Sequence, residues 1–237
     1  MYSFDTRVGF SRTDNNRIMT IEAIVDGFQD CSCFQSEHLG IGFDYLDSLN
    51  LVWILNSWQI EIKEYPHFYD KIKVATFPYD FKGFFGYRNF FIENESGEKI
   101  VIANSVWTLM DWEKMCPTRL TPLIMERYQK EERLPMNYES RKIILPKEGE
   151  AKIVRRESIQ IKKYHLDSNQ HVNNGQYIRI ALESLEKEVK IKNLRADYRK
   201  QALLNDYVVP VIYEKNGIYT IALCDEEDRP YALIEVE

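Results

Sequence analysis

One order of elements occurs twice in this chain, and it constrains the fold more than any other feature. The first half opens with a strand-like stretch at 2–10, followed by a helical stripe in which Ile21, Ile24, Val25 and Phe28 recur at i, i+3, i+4 and i+7. Thr20 stands where an N-cap belongs, Glu22 sits in the positive first turn, and Leu39 and Gly40 mark the end. Strands follow at 51–63, 71–79, 84–93 and 99–110. In the first of these, Val52, Ile54, Trp58, Ile60 and Ile62 read as one face. Residues 95–98 form a hairpin connection.

The same order returns after residue 155. The expected strand is 157–165 and the expected helix 174–189, with Ile178, Ala181, Leu182 and Leu185 on one stripe. Strands are then expected at 194–204, 206–214, 218–224 and 230–236, with Asn216 and Gly217 making a tight turn. Between the halves, 113–155 carries Pro117, Pro122, Pro135 and Pro146 and many charges, which reads as a connector with a short helix around 121–131. A long helix beside an antiparallel sheet makes each half α+β. Strands of the two halves joined edge to edge would remove two exposed edges.

Composition excludes several classes. With 44% hydrophobic and 29% charged residues the chain reads as soluble and globular rather than disordered. A net charge of -6 argues against a nucleic-acid binder relying on bulk charge. No apolar run reaches membrane-spanning length and no leader is visible, so the expected place is the cytoplasm. Cys31 and Cys33 fall two apart in the first helix, on different faces, which points to reduced thiols and not to a disulfide or zinc site. No G-x-S-x-G elbow, phosphate loop or metal cluster occurs, and no metal or cofactor is expected.

The chemistry concentrates at 164–175, Tyr-His-Leu-Asp-Ser-Asn-Gln-His-Val-Asn-Asn-Gly. Asp, Asn and His all favour turns and caps, so a capped helix start is the plain alternative. In an extended loop, however, Asp167, Asn169 and His171 would point to one side. They also precede a helix N-terminus, whose free N–H groups favour the negative charge that develops when water attacks a thioester carbonyl.

This segment, with Tyr177 and Leu182-Glu183-Ser184 behind it, resembles the acyl-acyl carrier protein thioesterases of plants and bacteria. Leu51-Val52-Trp53-Ile54, Ser105-Val106-Trp107 and Asp197-Tyr198-Arg199-Lys200 extend the resemblance across nearly the whole chain. The resemblance implies a tandem (double) hotdog fold in three parts: an N-terminal hotdog at 1–112 holding the acyl tunnel, a linker at 113–155, and a catalytic C-terminal hotdog at 156–237. It implies catalytic positions at Asp167, Asn169 and His171, and substrate contacts from Trp53, Trp107 and Gly175. One position departs: where the family usually has Glu, often followed by Cys, this chain has Gln201 and Ala202. Glutamine serves neither as general base nor as carboxylate nucleophile. Gln201 is therefore expected either to hold substrate or water by hydrogen bonds, or to be a half-buried strand amide.

The implied substrate is a fatty acyl chain linked through 4'-phosphopantetheine to acyl carrier protein, in a monomer or homodimer. Such carriers are acidic, and Lys162, Lys163, Arg179, Arg195, Arg199 and Lys200 are candidate docking cations, ordinary solvated residues being favoured for most. Acyl-CoA hydrolysis, a hotdog hydratase or dehydratase, and a non-catalytic acyl-binding module are the rival functions.

Overall fold

The computed structural model describes residues 1–147, 149–187 and 189–237. The chain forms two compact units. Unit 1 comprises 1–56 and 60–138, and unit 2 comprises 57–59 and 139–237.

Unit 1 begins with β1 (Tyr2–Arg7), shorter than expected because a 3-10 turn takes over at Phe10–Arg12. Helix α1 (Ile21–His38) forms where the apolar spacing places it. The Thr20 hydroxyl accepts the Ala23 N–H at 3.3 Å, satisfying one orphan donor of the first turn. At the other end Gly40 takes φ +67, its N–H reaches the Glu37 carbonyl, and the Ile41 N–H reaches that of Ser36. This is the Schellman arrangement, and Ile41 packs as its hydrophobic closure. A short helix α2 (Phe43–Ser48) follows, then β2 (Leu51–Ile62), β3 (Lys71–Lys82), β4 (Phe85–Glu93), β5 (Lys99–Asp111) and the two-residue β6 (Cys116–Pro117). The sheet runs β1-β3-β4-β5-β2, with β6 on β5. The turn between β4 and β5 forms as expected around Gly97 at φ +80, and the Asn94 carboxamide accepts the N–H groups of Ser96 and Glu98.

β2 departs from the single-face expectation. Leu51, Leu55 and Ser57 are buried in its first half and Trp58, Ile60 and Ile62 in its second, while Val52 and Ile54 are only half-buried. The cause is a second small core that covers the odd face. Helix α2 and a further helix α3 (Pro122–Arg127, capped by Thr121) bring Leu46, Ile124 and Tyr128 onto Leu51, with Trp53 packed alongside.

Unit 2 contains β7 (Lys152–Arg155), β8 (Ile159–Gln160), α4 (Asn174–Glu183), β9 (Asn193–Tyr198), β10 (Tyr207–Lys215), β11 (Ile218–Cys224) and β12 (Pro230–Val236). Its strands run β9-β12-β11-β10-β7, with β8 also on β10. Asn216 and Gly217 both take positive φ and close the β10–β11 hairpin as expected. Helix α4 buries Tyr177, Ile178, Ile180 and Ala181 and packs on β11 and β12.

Three expectations change here. Only Ile159–Gln160 of 157–165 pairs as strand, and the edge place on β10 belongs to Lys152–Arg155, inside the stretch read as connector. The Lys162 N–H donates to His165 Nδ1 at 3.0 Å, closing a 3-10 turn that ends the strand. Helix α4 stops at Glu183, where the Ser184 hydroxyl donates to the Ala181 carbonyl. Leu182 and Leu185 are consequently only half-buried, and Glu188 of the expected 174–189 helix lies outside the described residues, as does Glu148 of the connector.

The rest of the connector covers sheet surface. Leu134 and Met136 pack on Ala75, Phe77, Phe91 and Ile102 in unit 1. Ile143 and Leu145 pack on Val211, Ala222, Cys224 and Leu233 in unit 2. Among the described residues no helix is long and apolar enough to cross a membrane.

Candidate active site at the start of the second helix

The segment expected to be extended is instead a tight hairpin. Leu166 pairs with Val172, the Asp167 N–H donates to the His171 carbonyl at 2.8 Å, and the Asn173 N–H donates to the His165 carbonyl at 2.9 Å. Gln170 takes φ +61 at the tip, a left-handed conformation suited to reversing the chain in one step. Asp167 and His171 therefore face each other across the hairpin, and Asn169 stands exposed near its apex. The sequence grouping survives through cross-loop pairing, not through alternation along one strand.

Asp167 is fixed by one oxygen. Its Oδ1 accepts the N–H groups of Asn169 at 2.8 Å and His171 at 3.2 Å, while Oδ2 has no partner among the described residues. The residue is both a turn-former and a half-buried carboxylate with one oxygen open.

Asn173 caps α4, its Oδ1 accepting the Gly175 N–H at 2.8 Å. Gly175 is buried, and its N–H is occupied by the Asn173 side chain. The first helical N–H, that of Asn174, makes no hydrogen bond among the described residues.

Gln201 is not a strand residue. The ladder ends at Tyr198 because the Arg199 and Lys200 N–H groups both turn onto the one Tyr231 carbonyl. Gln201 is exposed in the loop beyond. That loop is tied to the hairpin, since the Val172 N–H donates to the Ala202 carbonyl at 3.3 Å and the Ala202 N–H donates to the Tyr177 hydroxyl at 2.8 Å. Gln201 is thus held beside the segment that carries Asp167 and His171. Burial pushes the Tyr177 phenol above its ordinary value, keeping it a neutral hydroxyl. Sequence reasoning placed Tyr177 in the helix and missed this tie. The signal was a tyrosine on an otherwise aliphatic stripe, because a buried phenol needs a partner.

In unit 1 the two tryptophans expected at the substrate meet one glycine. The Trp53 ring lies over Gly86, where an added Cβ would approach its Cη2 to 3.2 Å, and Trp107 is the cross-strand partner of Gly86. The Trp107 indole N–H donates to the Ser105 hydroxyl at 2.7 Å.

Four of the six candidate docking cations are paired with carboxylates: Arg179 with Glu183, Arg195 with Glu235, Arg199 with buried Asp197, and Lys200 with Asp225. Lys162 donates to the Gln160 carboxamide, and Lys163 makes no ion pair among the described residues. Burial pushes the Cys31 thiol up to about 12 and raises that of Cys33, so neither is a reactive thiolate. Among the described residues no group of three His, Cys, Asp or Glu side chains is placed to hold a metal.

A helix laid on an antiparallel sheet, twice over, with a polar hairpin ahead of the second helix, defines a double hotdog protein. The acyl-ACP thioesterase N-terminal domain matches residues 1–128, the C-terminal domain of the same family matches 149–230, and the chain belongs to that family. It is similar to the chloroplastic oleoyl-acyl carrier protein thioesterase 2 of Arabidopsis thaliana, 28% identical over 81% of this chain and 57% of that protein. It thus spans little more than half the length of this curated relative. Its fold is that of an acyl-ACP thioesterase from Bacteroides thetaiotaomicron, with a TM-score of 0.88 at 21% identity over 99% of this chain and 96% of the other. It also matches the 12:0-ACP thioesterase of Umbellularia californica, with a TM-score of 0.84 at 15% identity over 100% and 96%.

Proposed function

We propose that the chain hydrolyses fatty acyl-acyl carrier protein thioesters to free fatty acid and the carrier's thiol. The observation that carries this reading is the hairpin ahead of α4, which sets Asp167 opposite His171 in a chain of this family. Water is the nucleophile. It adds to the thioester carbonyl, its proton passes to Asp167 or His171, and the carbon–sulfur bond then breaks to release the protonated thiol. Oδ2 of Asp167 is the open acceptor on the carboxylate side. A correctly placed general base contributes about 10²–10⁴-fold. Asn169 orients the water or the carbonyl. The Asn174 N–H at the helix start serves as oxyanion donor, a contribution of roughly 3–4 kcal/mol in comparable sites. Gln201, held beside the hairpin through Ala202, binds substrate or water and takes no proton. The acyl chain lies in the N-terminal half, with Trp53 and Trp107 along it.

The test is thiol release from carrier-bound acyl chains of increasing length, with Asp167→Asn, Asn169→Ala, His171→Ala and Gln201→Ala beside the parent chain. Both Asp167→Asn and His171→Ala are expected to lose about 10²-fold or more in kcat. Turnover close to the parent in both variants overturns the assignment.

Acyl-CoA is a second substrate reading, favoured by the pairing of four of the six candidate docking cations. Rates for the two carriers at equal chain length separate them. If carrier binding is unchanged between low and high salt, an electrostatic docking surface is ruled out.

A further inference from the structure

Two aromatic residues of unit 1 form the corner of a tight turn, where small polar residues ordinarily stand. The Asp70 N–H donates to the His67 carbonyl at 3.1 Å, so Phe68 and Tyr69 are the central pair of a four-residue turn. Tyr69 takes φ +76, a left-handed conformation that glycine or asparagine adopts there at least cost. A tyrosine at this position costs stability, and the core gains nothing in return. Phe68 is 40% exposed and Tyr69 62%.

Phe10, 80% exposed, completes a row of rings. It meets Phe68 edge-on at 6.2 Å between centroids, and Phe68 meets Tyr69 at 6.2 Å. Backbone bonds hold the row in place. The Tyr69 N–H donates to the Val8 carbonyl at 2.9 Å, the Val8 N–H to the Asp70 carbonyl at 3.0 Å, and the Phe68 N–H to the Arg17 carbonyl at 2.8 Å.

Cations border the rings. The Arg7 guanidinium lies 4.2 Å from the centre of the Tyr69 ring and donates to the Tyr69 carbonyl at 3.1 Å. Arg17 is exposed and itself at φ +64. The carboxylates of the same segments are engaged: Asp14 accepts the N–H groups of Asn16 and Ile18, Asp70 accepts that of His67, and Glu95 is paired with Lys71. The whole chain carries a net charge of -6, so this positive border runs against its general balance. Every exposed large hydrophobic residue of these loops is aromatic. Rings with arginine beside them suit the boundary between lipid headgroups and acyl chains, where the ring enters the apolar side and the guanidinium stays with the phosphates.

We propose that Phe10, Phe68 and Tyr69, with Arg7 and Arg17, form a docking surface for an anionic phospholipid membrane. The rings are held outward at a cost in backbone strain because they enter the lipid boundary. Docking requires no turnover, so this surface stands apart from the thioesterase reading.

The experiment is cosedimentation of the full chain with vesicles of phosphatidylcholine and phosphatidylglycerol in equal parts, with phosphatidylcholine vesicles as the neutral control. The parent is expected to partition onto the anionic vesicles about tenfold or more better than onto the neutral ones. Phe10→Ser and Tyr69→Asn are each expected to lose about tenfold in partitioning, as the removal of one ring from the lipid boundary. Tyr69→Asn is also expected to melt no lower than the parent, because asparagine relaxes the left-handed turn. Weaker vesicle binding in this folded variant therefore reports the surface and not damage to the fold. Failure of the parent to sediment with anionic vesicles overturns the proposal, as does equal partition onto neutral ones or unchanged partition in Tyr69→Asn. A parent dimer that both variants convert to monomer without vesicles also overturns it, and assigns the rings to a second copy of the chain.

Discussion

His165 and Tyr177 act on the backbone around the candidate site rather than on a substrate. Burial, with a smaller push from Arg179, holds the His165 imidazole below its ordinary 6.5, and its neutral Nδ1 accepts the Lys162 N–H. The unfolded chain therefore gains a proton near pH 6.5 that the folded chain refuses until lower pH. The stability this histidine contributes is complete above 6.5 and is lost as pH falls from there through the folded value. Melting temperatures measured between pH 7.5 and 5 should fall less steeply in His165→Gln than in the parent, and equal slopes would refute this assignment. Removing the Tyr177 hydroxyl strands the buried Ala202 N–H. Tyr177→Phe should cost about 1–3 kcal/mol in urea unfolding. It should also lower kcat by freeing Gln201, whereas a change in stability alone would leave the loop without a positioning role. That Asp167 and His171 stand together ahead of α4 was legible because few segments crowd so many polar groups before a helix, whereas their cross-hairpin pairing was not. The exposure of Gln201 was not, since nothing local reveals that two N–H groups share the Tyr231 carbonyl and end the ladder.

Elements with local causes were readable, and those with distant causes were not. The start and end of α1 follow from Thr20 and Gly40, both acting within a few residues. Thr20→Ala should cost about 1 kcal/mol. Asn173→Ala should cost a similar amount, and it should also reduce turnover because the cap lies between the hairpin and the helix. Circular dichroism in urea, read beside the thiol-release rate, separates the two cases. The burial of β2 changes parity because α2 and α3 cover its odd face, and their six-residue lengths leave too little periodicity to announce that role. The stretch 157–165 alternates like a strand, yet a side-chain acceptor on His165 captures the N–H group at Lys162.

Across the molecule, the segment that reads as a linker covers sheet surface in both units. Its apolar residues, Leu134, Met136, Ile143 and Leu145, stand among prolines and charges with no period of two or 3.6, so composition labels the stretch a loop. Their anchors are specific. Buried Asn89 accepts the Leu134 N–H and the Tyr138 hydroxyl, and buried Asp197 accepts the Ile143 N–H while Arg199 donates to the Ile143 carbonyl. Ile143 is 1% exposed, and Ile143→Ala should destabilise the chain by about 2–4 kcal/mol in chemical unfolding, as a core truncation and not as a linker change.

That covering role governs how halves of such chains recombine. A chimera with a relative spliced between Tyr138 and Glu139 hands each half its own lid, whereas a crossover at 112 or 155 leaves one greasy sheet face wearing a stranger's lid, and such hybrids should aggregate even though both parents fold.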